Sequence, residues 1–75
     1  MNKTRRQQLR KWLEDMENIK GELETICSDE QDYYDNMPEN LQGSQRGMDA
    51  EEAIEQMEEA VSSIEDAISV IEEMV

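Results

Sequence analysis

The second half of the chain, residues 49–75, repeats its residue types every seven positions, and this repeat limits the possible folds more than any other feature. Its three apolar rows are Ala50, Met57, Ile64 and Ile71; Ala53, Ala60, Ala67 and Met74; and Ile54, Val61, Ile68 and Val75. Residues spaced in this way share one face of an α-helix, and no glycine or proline interrupts them. The pattern predicts a helix over about residues 49–74, with an apolar stripe too wide for one partner helix to cover.

A second heptad pattern occupies the first part of the chain. Its seam advances by alternating steps of three and four residues and consists of Leu9, Trp12, Met16, Ile19, Leu23, Ile26, Glu30 and Tyr33. Glu30 is the one polar residue of this seam, while Leu13, Cys27 and Tyr34 widen the stripe. Such spacing is typical of a coiled-coil helix, which we predict over about residues 3–34.

A long connection over about residues 35–48 joins the two predicted helices. Pro38 cannot continue the first helix, because it lacks a backbone N–H group and disfavours helical geometry in the residue before it. Gly43 and Gly47 give the chain freedom to turn. Asp49, with Glu52 three residues later, is expected to cap the second helix.

Together these features predict an all-α fold, an antiparallel two-helix coiled-coil hairpin that forms a single domain over residues 1–75. The expected register sets Met16 opposite Ala67 and Leu23 opposite Ala60, so that large side chains meet small ones. It also places four N-terminal bases near acids at the end of the second helix, where the opposite charges offset an unfavourable helix dipole. These bases are Arg5, Arg6, Arg10 and Lys11.

We expect two hairpins to associate, because a chain this short buries too little surface to be very stable alone. The expected assembly is a homodimeric four-helix bundle with a twofold axis. The alternative is that a different protein covers the stripe. The residues predicted for the dimer stripe are Leu13, Cys27, Tyr34, Ile54, Val61 and Ile68.

The composition narrows the possible functions. The chain has twenty acids, seven bases, no histidine and one cysteine, with a net charge of −13. It offers no internal disulfide, no usual zinc ligand set, no nucleophile beside a base and no phosphate-binding loop, so we expect no enzymatic activity, cofactor or metal. The negative charge disfavours direct binding to nucleic acid or membrane and permits binding to a basic protein. Without a membrane span or a recognisable signal peptide, the chain is expected to be soluble and cytoplasmic.

Acidic residues line the outer side of the second predicted helix. This acidic face consists of Glu51, Glu52, Glu55, Glu58, Glu59, Glu65 and Asp66. A solvated surface is one interpretation, since any soluble coiled coil needs charged outer positions. The other is that rows of carboxylates imitate the phosphates of a duplex and occupy the groove of a DNA-binding protein.

The connection carries the most specific motif of the chain. Asn-Met-Pro-Glu-Asn-Leu-Gln, followed by Ser-x-Arg-Gly, resembles a pattern in small helical-hairpin proteins of phages, prophages and other bacterial mobile elements. The resemblance is carried by Tyr34, Asn36, Pro38, Glu39, Leu41, Gln42, Ser44, Arg46 and Gly47, with Ala53 and Ile54 beyond them. It implies a setting in a bacterial cytoplasm and no particular mechanism. Met48 and Asp49 stand where more glutamate is expected, a minor departure.

The connection has two possible roles. It caps the closed end of the hairpin, with Met37, Leu41 and Met48 over the core and Ser44 or Asn36 bonded to backbone groups. Alternatively, it is a recognition loop, since long ordered loops often carry function. The residues of this candidate partner-binding loop are Pro38, Glu39, Asn40, Leu41, Gln42, Ser44 and Arg46.

The sequence thus predicts a small, acidic, non-catalytic interaction protein. If it belongs to a mobile element, as the resemblance implies, we expect it to modulate an unidentified host protein. Two alternatives remain: a DNA-mimicking inhibitor of a nucleic-acid-binding enzyme, and a structural subunit that assembles only with itself.

Overall fold

The first helix begins and ends close to its predicted limits. The computed structural model describes all 75 residues, and α1 spans Lys3–Asp35. Asn2 caps its N-terminus, accepting a hydrogen bond of 2.8 Å from the Arg5 backbone N–H through its side-chain oxygen. At the other end, the Asn36 N–H donates to the Asp32 carbonyl at 3.0 Å, and Pro38 follows two residues later. Proline therefore stops α1 where the sequence predicts.

Two further helices follow: α2, Glu39–Gln42, and α3, Gln45–Met74. The predicted second helix, α3, therefore begins four residues earlier than Asp49, and its N-cap is Ser44, whose hydroxyl accepts a bond of 3.5 Å from the Gly47 N–H. Asp49 instead accepts a bond of 2.6 Å from the Gln45 side chain, one turn inside the helix. Both are good capping residues, but Gly47 is buried beneath the Gln42 backbone, and this packing extends the helix back to Ser44.

The two long helices pack against each other as a hairpin 58 × 15 × 13 Å in extent. Three polar contacts link α1 to α3: Lys20 Nζ lies 3.9 Å from Glu65 Oε1, Tyr34 donates a hydrogen bond to Glu51, and Cys27 Sγ lies 3.9 Å from the Ile54 carbonyl oxygen. Residue numbers rise along α1 as they fall along α3, so the antiparallel hairpin is confirmed. These contacts lie on both sides of the predicted register, each within two residues of it.

The seam of α1 differs from the predicted one by a rotation of the helix. Every second seam residue is solvent-exposed: Trp12 is 62%, Ile19 53%, Ile26 56% and Tyr33 45% exposed. The half-buried row in their place consists of Leu13, Lys20, Cys27 and Tyr34. This row meets the Ile54 and Ile68 row of α3, the most buried part of that helix. When α3 turns its isoleucine row toward α1 instead of its alanine row, more apolar area is removed from water. The rotation of α1 brings the row of Leu13 and Cys27 against these isoleucines.

The core of the hairpin is small and lies mostly at its closed end. Five residues are buried: Met37, Gly47, Ala50, Ile54 and Ile68. None belongs to α1. Neither long helix is apolar enough to cross a membrane. Because α1 lies on the core without contributing a fully buried side chain, one face of the hairpin stays open to solvent.

Candidate functional site

The open face is an apolar surface that runs along the hairpin, and α1 supplies its main row. That row is Trp12, Ile19, Ile26 and Tyr33, each at least 45% exposed. On α3 the open face continues with Ala53, Ala60, Ala67 and Met74, of which Ala67 and Met74 are exposed and the others half-buried. Trp12 and Met74 line one shallow groove, which places the two rows on the same side of the hairpin. Contiguous apolar surface of this kind marks an interaction site.

The residues of the predicted dimer stripe lie elsewhere. Ile54 and Ile68 are buried, only 7% and 5% exposed, and Cys27 lies against the Ile54 backbone. Leu13, Tyr34 and Val61 are half-buried. Ile54 and Ile68 therefore face the other helix of the same chain and are closed to a second copy, whereas Cys27 and Val61 line a groove on the surface.

The side of the hairpin opposite the open face carries two shallow grooves of mixed polarity. One is lined by Gln31, Tyr34, Glu51, Ile54 and Glu55, and the other by Glu24, Cys27, Ser28, Gln31, Glu58 and Val61. Tyr34 donates its phenolic proton to Glu51. This hydrogen bond, together with partial desolvation and the negative charges of Glu51 and Asp35, raises the pKa of Tyr34 above its ordinary value. On this side the two helices are therefore joined by a hydrogen bond between Tyr34 and Glu51, and polar side chains border the apolar groups of its grooves.

The acidic face lies where helical spacing predicts, on the outer side of α3. All of its residues are exposed: Glu51, Glu52, Glu55, Glu58, Glu59, Glu65 and Asp66. Glu65 forms an ion pair with Lys20, and Glu51 and Glu52 accept hydrogen bonds from Tyr34 and Gln56. Most of these carboxylates thus face water along one side of a straight helix.

The N-terminal bases do not form the predicted ion pairs with α3. Lys11 pairs with Asp15 of its own helix at 3.7 Å, and Arg5, Arg6 and Arg10 form no ion pair. Leu9 and Trp12 share a groove with Met74, at the end of α3, so the first turn of α1 extends past that end. The bases at this end therefore remain free to meet charges on another molecule.

The connection folds as a cap and leaves only part of the candidate loop accessible. Met37 is buried as expected, whereas Leu41 and Met48 are 39% and 50% exposed and do not cover the core. Gln42 donates its side-chain amide to the Tyr34 carbonyl at 3.2 Å, and Ser44 caps α3. The remaining candidates are exposed: Pro38, which precedes α2, with Glu39, Asn40 and Arg46. A recognition role for this loop stays a prediction.

Glu30, the polar residue of the predicted seam, and Cys27, the one cysteine, show no sign of a chemical role. Glu30 and Cys27 are both half-buried, and Cys27 is a free thiol. No group of three acidic, histidine or cysteine side chains lies close enough together to hold a metal ion.

Comparisons of the chain with protein-family models, with curated proteins and with solved structures found no match. The class that the fold and the site define is an antiparallel helical hairpin with one long, exposed apolar face.

Proposed function

We propose that the protein is a small, non-catalytic interaction protein that binds other protein surfaces through its open face. The observation that carries this proposal is the exposure of the row from Trp12 to Tyr33. Burial of the isoleucine row of α3 against α1 leaves this row of large apolar side chains in water. Its outward position is understandable if a protein partner covers it.

A helical partner fits this surface better than a small molecule. The apolar row advances by seven residues at each step, which is the spacing that packed helices share. Its groove at Trp12 is shallow and open, whereas small-molecule sites are concave and enclose most of their ligand. The four-helix bundle is part of this proposal, with two hairpins joined through their open faces instead of the stripe around Ile54.

The mass of the protein in solution tests this proposal. Light scattering coupled to gel filtration should give about twice the chain mass of 8.8 kDa for the wild type. A variant with Ile19→Gln and Ile26→Gln should give the mass of one chain, because glutamine keeps the helix but removes the apolar contact.

Met48→Gln is the matched control, since Met48 is 50% exposed but lies on the outer side of α3, in the row of Glu55 and Ser62. It should leave the mass unchanged. Two results together would contradict the proposal. The wild type would be monomeric, and the variant with Ile19→Gln and Ile26→Gln would capture the same proteins from a bacterial lysate as the wild type does.

A second candidate function is mimicry of DNA by the acidic face, favoured by its row of exposed carboxylates. Glu55→Gln, Glu58→Gln and Glu59→Gln together should then abolish capture of a nucleic-acid-binding protein from a lysate. Binding of this kind should be lost between low and high salt, because charge pairing dominates it. Capture that survives both the substitutions and high salt would eliminate mimicry.

The setting of the proposed function rests on the motif in the connection. Resemblance to mobile-element hairpins favours a modulator of a host protein in a bacterial cytoplasm. Glu39, Asn40 and Arg46 are exposed at the closed end and would give such a partner a second, polar contact.

A further inference from the structure

We propose that the open face is occupied by a second copy of this chain, with α1 of each copy packed beside α3 of the other. This inference rests on the proposed function and adds the arrangement of the partner. The twofold axis then runs along the length of the hairpins, so that equal positions in the two copies stay at the same level.

The size of the open face suits an association of this kind. From Leu9 to Tyr33, α1 extends about 36 Å at 1.5 Å per residue, and the two helices together are about 18 Å wide. The resulting face is roughly 600 Å² on each copy, which reaches the lower limit of about 1,200 Å² in total for specific interfaces. A second hairpin covers the whole face, whereas a single helix covers half of it.

The charges beside the open face select the arrangement. Next to its apolar row, α3 carries Asp49, Gln56, Ser63 and Val70, so this edge has a single acid, whereas the rows that begin at Glu51 and Glu52 each carry four. Charged residues are depleted at the cores of interfaces. This edge of α3 can therefore pack against another helix, even an acidic one, without strong charge repulsion.

The corresponding edge of α1 is acidic. It carries Gln8, Asp15, Glu22 and Asp29. Gln8 lines the same groove as Trp12, which places this edge on the side of the open face. If α1 packed beside α1 of the second copy, these carboxylates would meet carboxylates, and like charges in contact destabilise an interface. Beside α3, they meet the neutral edge instead.

The register of the hairpin determines which residues of α1 in one copy lie opposite which residues of α3 in the other. Lys20 lies beside Glu65 and Tyr34 beside Glu51, which places Glu22 at the level of Ser63 and Asp29 at that of Gln56. The contact between Cys27 and Ile54 agrees with these levels to within one helical turn. The hydroxyl of Ser63 and the amide of Gln56 can donate hydrogen bonds to these carboxylates. At the open end, Arg5 and Met74 line one groove, so this end of the open face lies beside the C-terminus of α3.

Disulfide crosslinking between two different variants tests the arrangement. One chain carries Glu22→Cys and the other Ser63→Cys, and both carry Cys27→Ser, so that no disulfide can form within a chain. We expect the mixed disulfide to be the main product after mild oxidation of the mixture, since these positions face each other between copies. Disulfides between two chains of the same variant should stay at the level given by a Met48→Cys, Cys27→Ser control, because like helices lie diagonally, about 14 Å apart.

The outcomes separate this inference from the proposed function. A dominant disulfide between two Glu22→Cys chains would place α1 beside α1 and overturn the arrangement while leaving the dimer intact. A dimer without selective crosslinks would overturn it as well. A wild type that is monomeric by light scattering would contradict the self-association itself. All the substituted positions except Cys27 are exposed, so the variants are expected to fold.

Discussion

Replacement of Ile54 by aspartate should leave the hairpin unfolded at room temperature. Ile54 is 7% exposed and lies against α1, where its carbonyl contacts Cys27. Loss of the side chain alone costs about 2–5 kcal/mol at such sites, and the buried charge adds several more. Because domains are stabilised by about 0.05–0.15 kcal/mol per residue, the sum is comparable to the whole free energy of unfolding of this chain. Circular dichroism should show little helix and no cooperative melting.

The Met48→Asp variant is the control for this prediction. It places the same charge on the same helix at a position that is 50% exposed. Its free energy of unfolding should change by about 0.5 kcal/mol or less, as for most surface substitutions. If Ile54→Asp melted like Met48→Asp, α3 would have to face α1 with a different row.

Replacement of Gly47 by alanine should destabilise the hairpin through a clash between α2 and α3. A Cβ atom on Gly47 would lie 2.0 Å from the Gln42 carbonyl oxygen and 2.7 Å from its Cα. These are backbone atoms, so the short helix α2 must move as a unit. We expect a loss of about 1–3 kcal/mol, typical of overpacking. For a chain of this size each kcal/mol lowers the melting temperature by about 4–8 °C, which thermal denaturation measures.

Gly21→Ala provides a matched comparison with the opposite sign. A Cβ atom there meets nothing within 4 Å, and the position lies in the middle of α1. Alanine favours a helix over glycine by about 1 kcal/mol, so the melting temperature should rise. Equal behaviour of the two variants would show that the contact between Gln42 and Gly47 does not matter for stability.

The contrast between these two glycines shows what the sequence could and could not reveal about the connection. The sequence predicts a turn at Gly47, yet no glycine of the chain has a positive φ. Gly47 is required because another segment of backbone lies against it, and this depends on the path of α2, a single turn too short to give a periodic signal. The path of α2 also explains the error in the predicted N-cap. The sequence favours Asp49, whereas the packing of Gly47 against Gln42 begins the helix after Ser44.

The helices and their antiparallel pairing could be predicted because heptad spacing, Asn2 and Pro38 act locally. The rotation of α1 about its own axis could not be predicted from the sequence. Its rows at Trp12 and Leu13 lie on opposite sides of the row of Leu9 and Met16, and both are largely apolar, so either satisfies the pattern. The structure buries the isoleucine row of α3 and thereby selects the row that contains Lys20. The width of the stripe was a correct signal that one apolar row stays uncovered, but the sequence did not identify which row it was.

The uneven distribution of the core along the hairpin has a consequence for how the molecule opens. Four of the five buried residues lie within a few turns of the connection, whereas Ile68 is the one buried residue toward the opposite end. Local unfolding begins where few contacts must break, so the helices should separate from their termini toward the connection, like a zipper. Amide hydrogens near Ile54 would then exchange slowest. The closed end thus acts as a hinge that keeps the two arms together while their free ends fray and re-form.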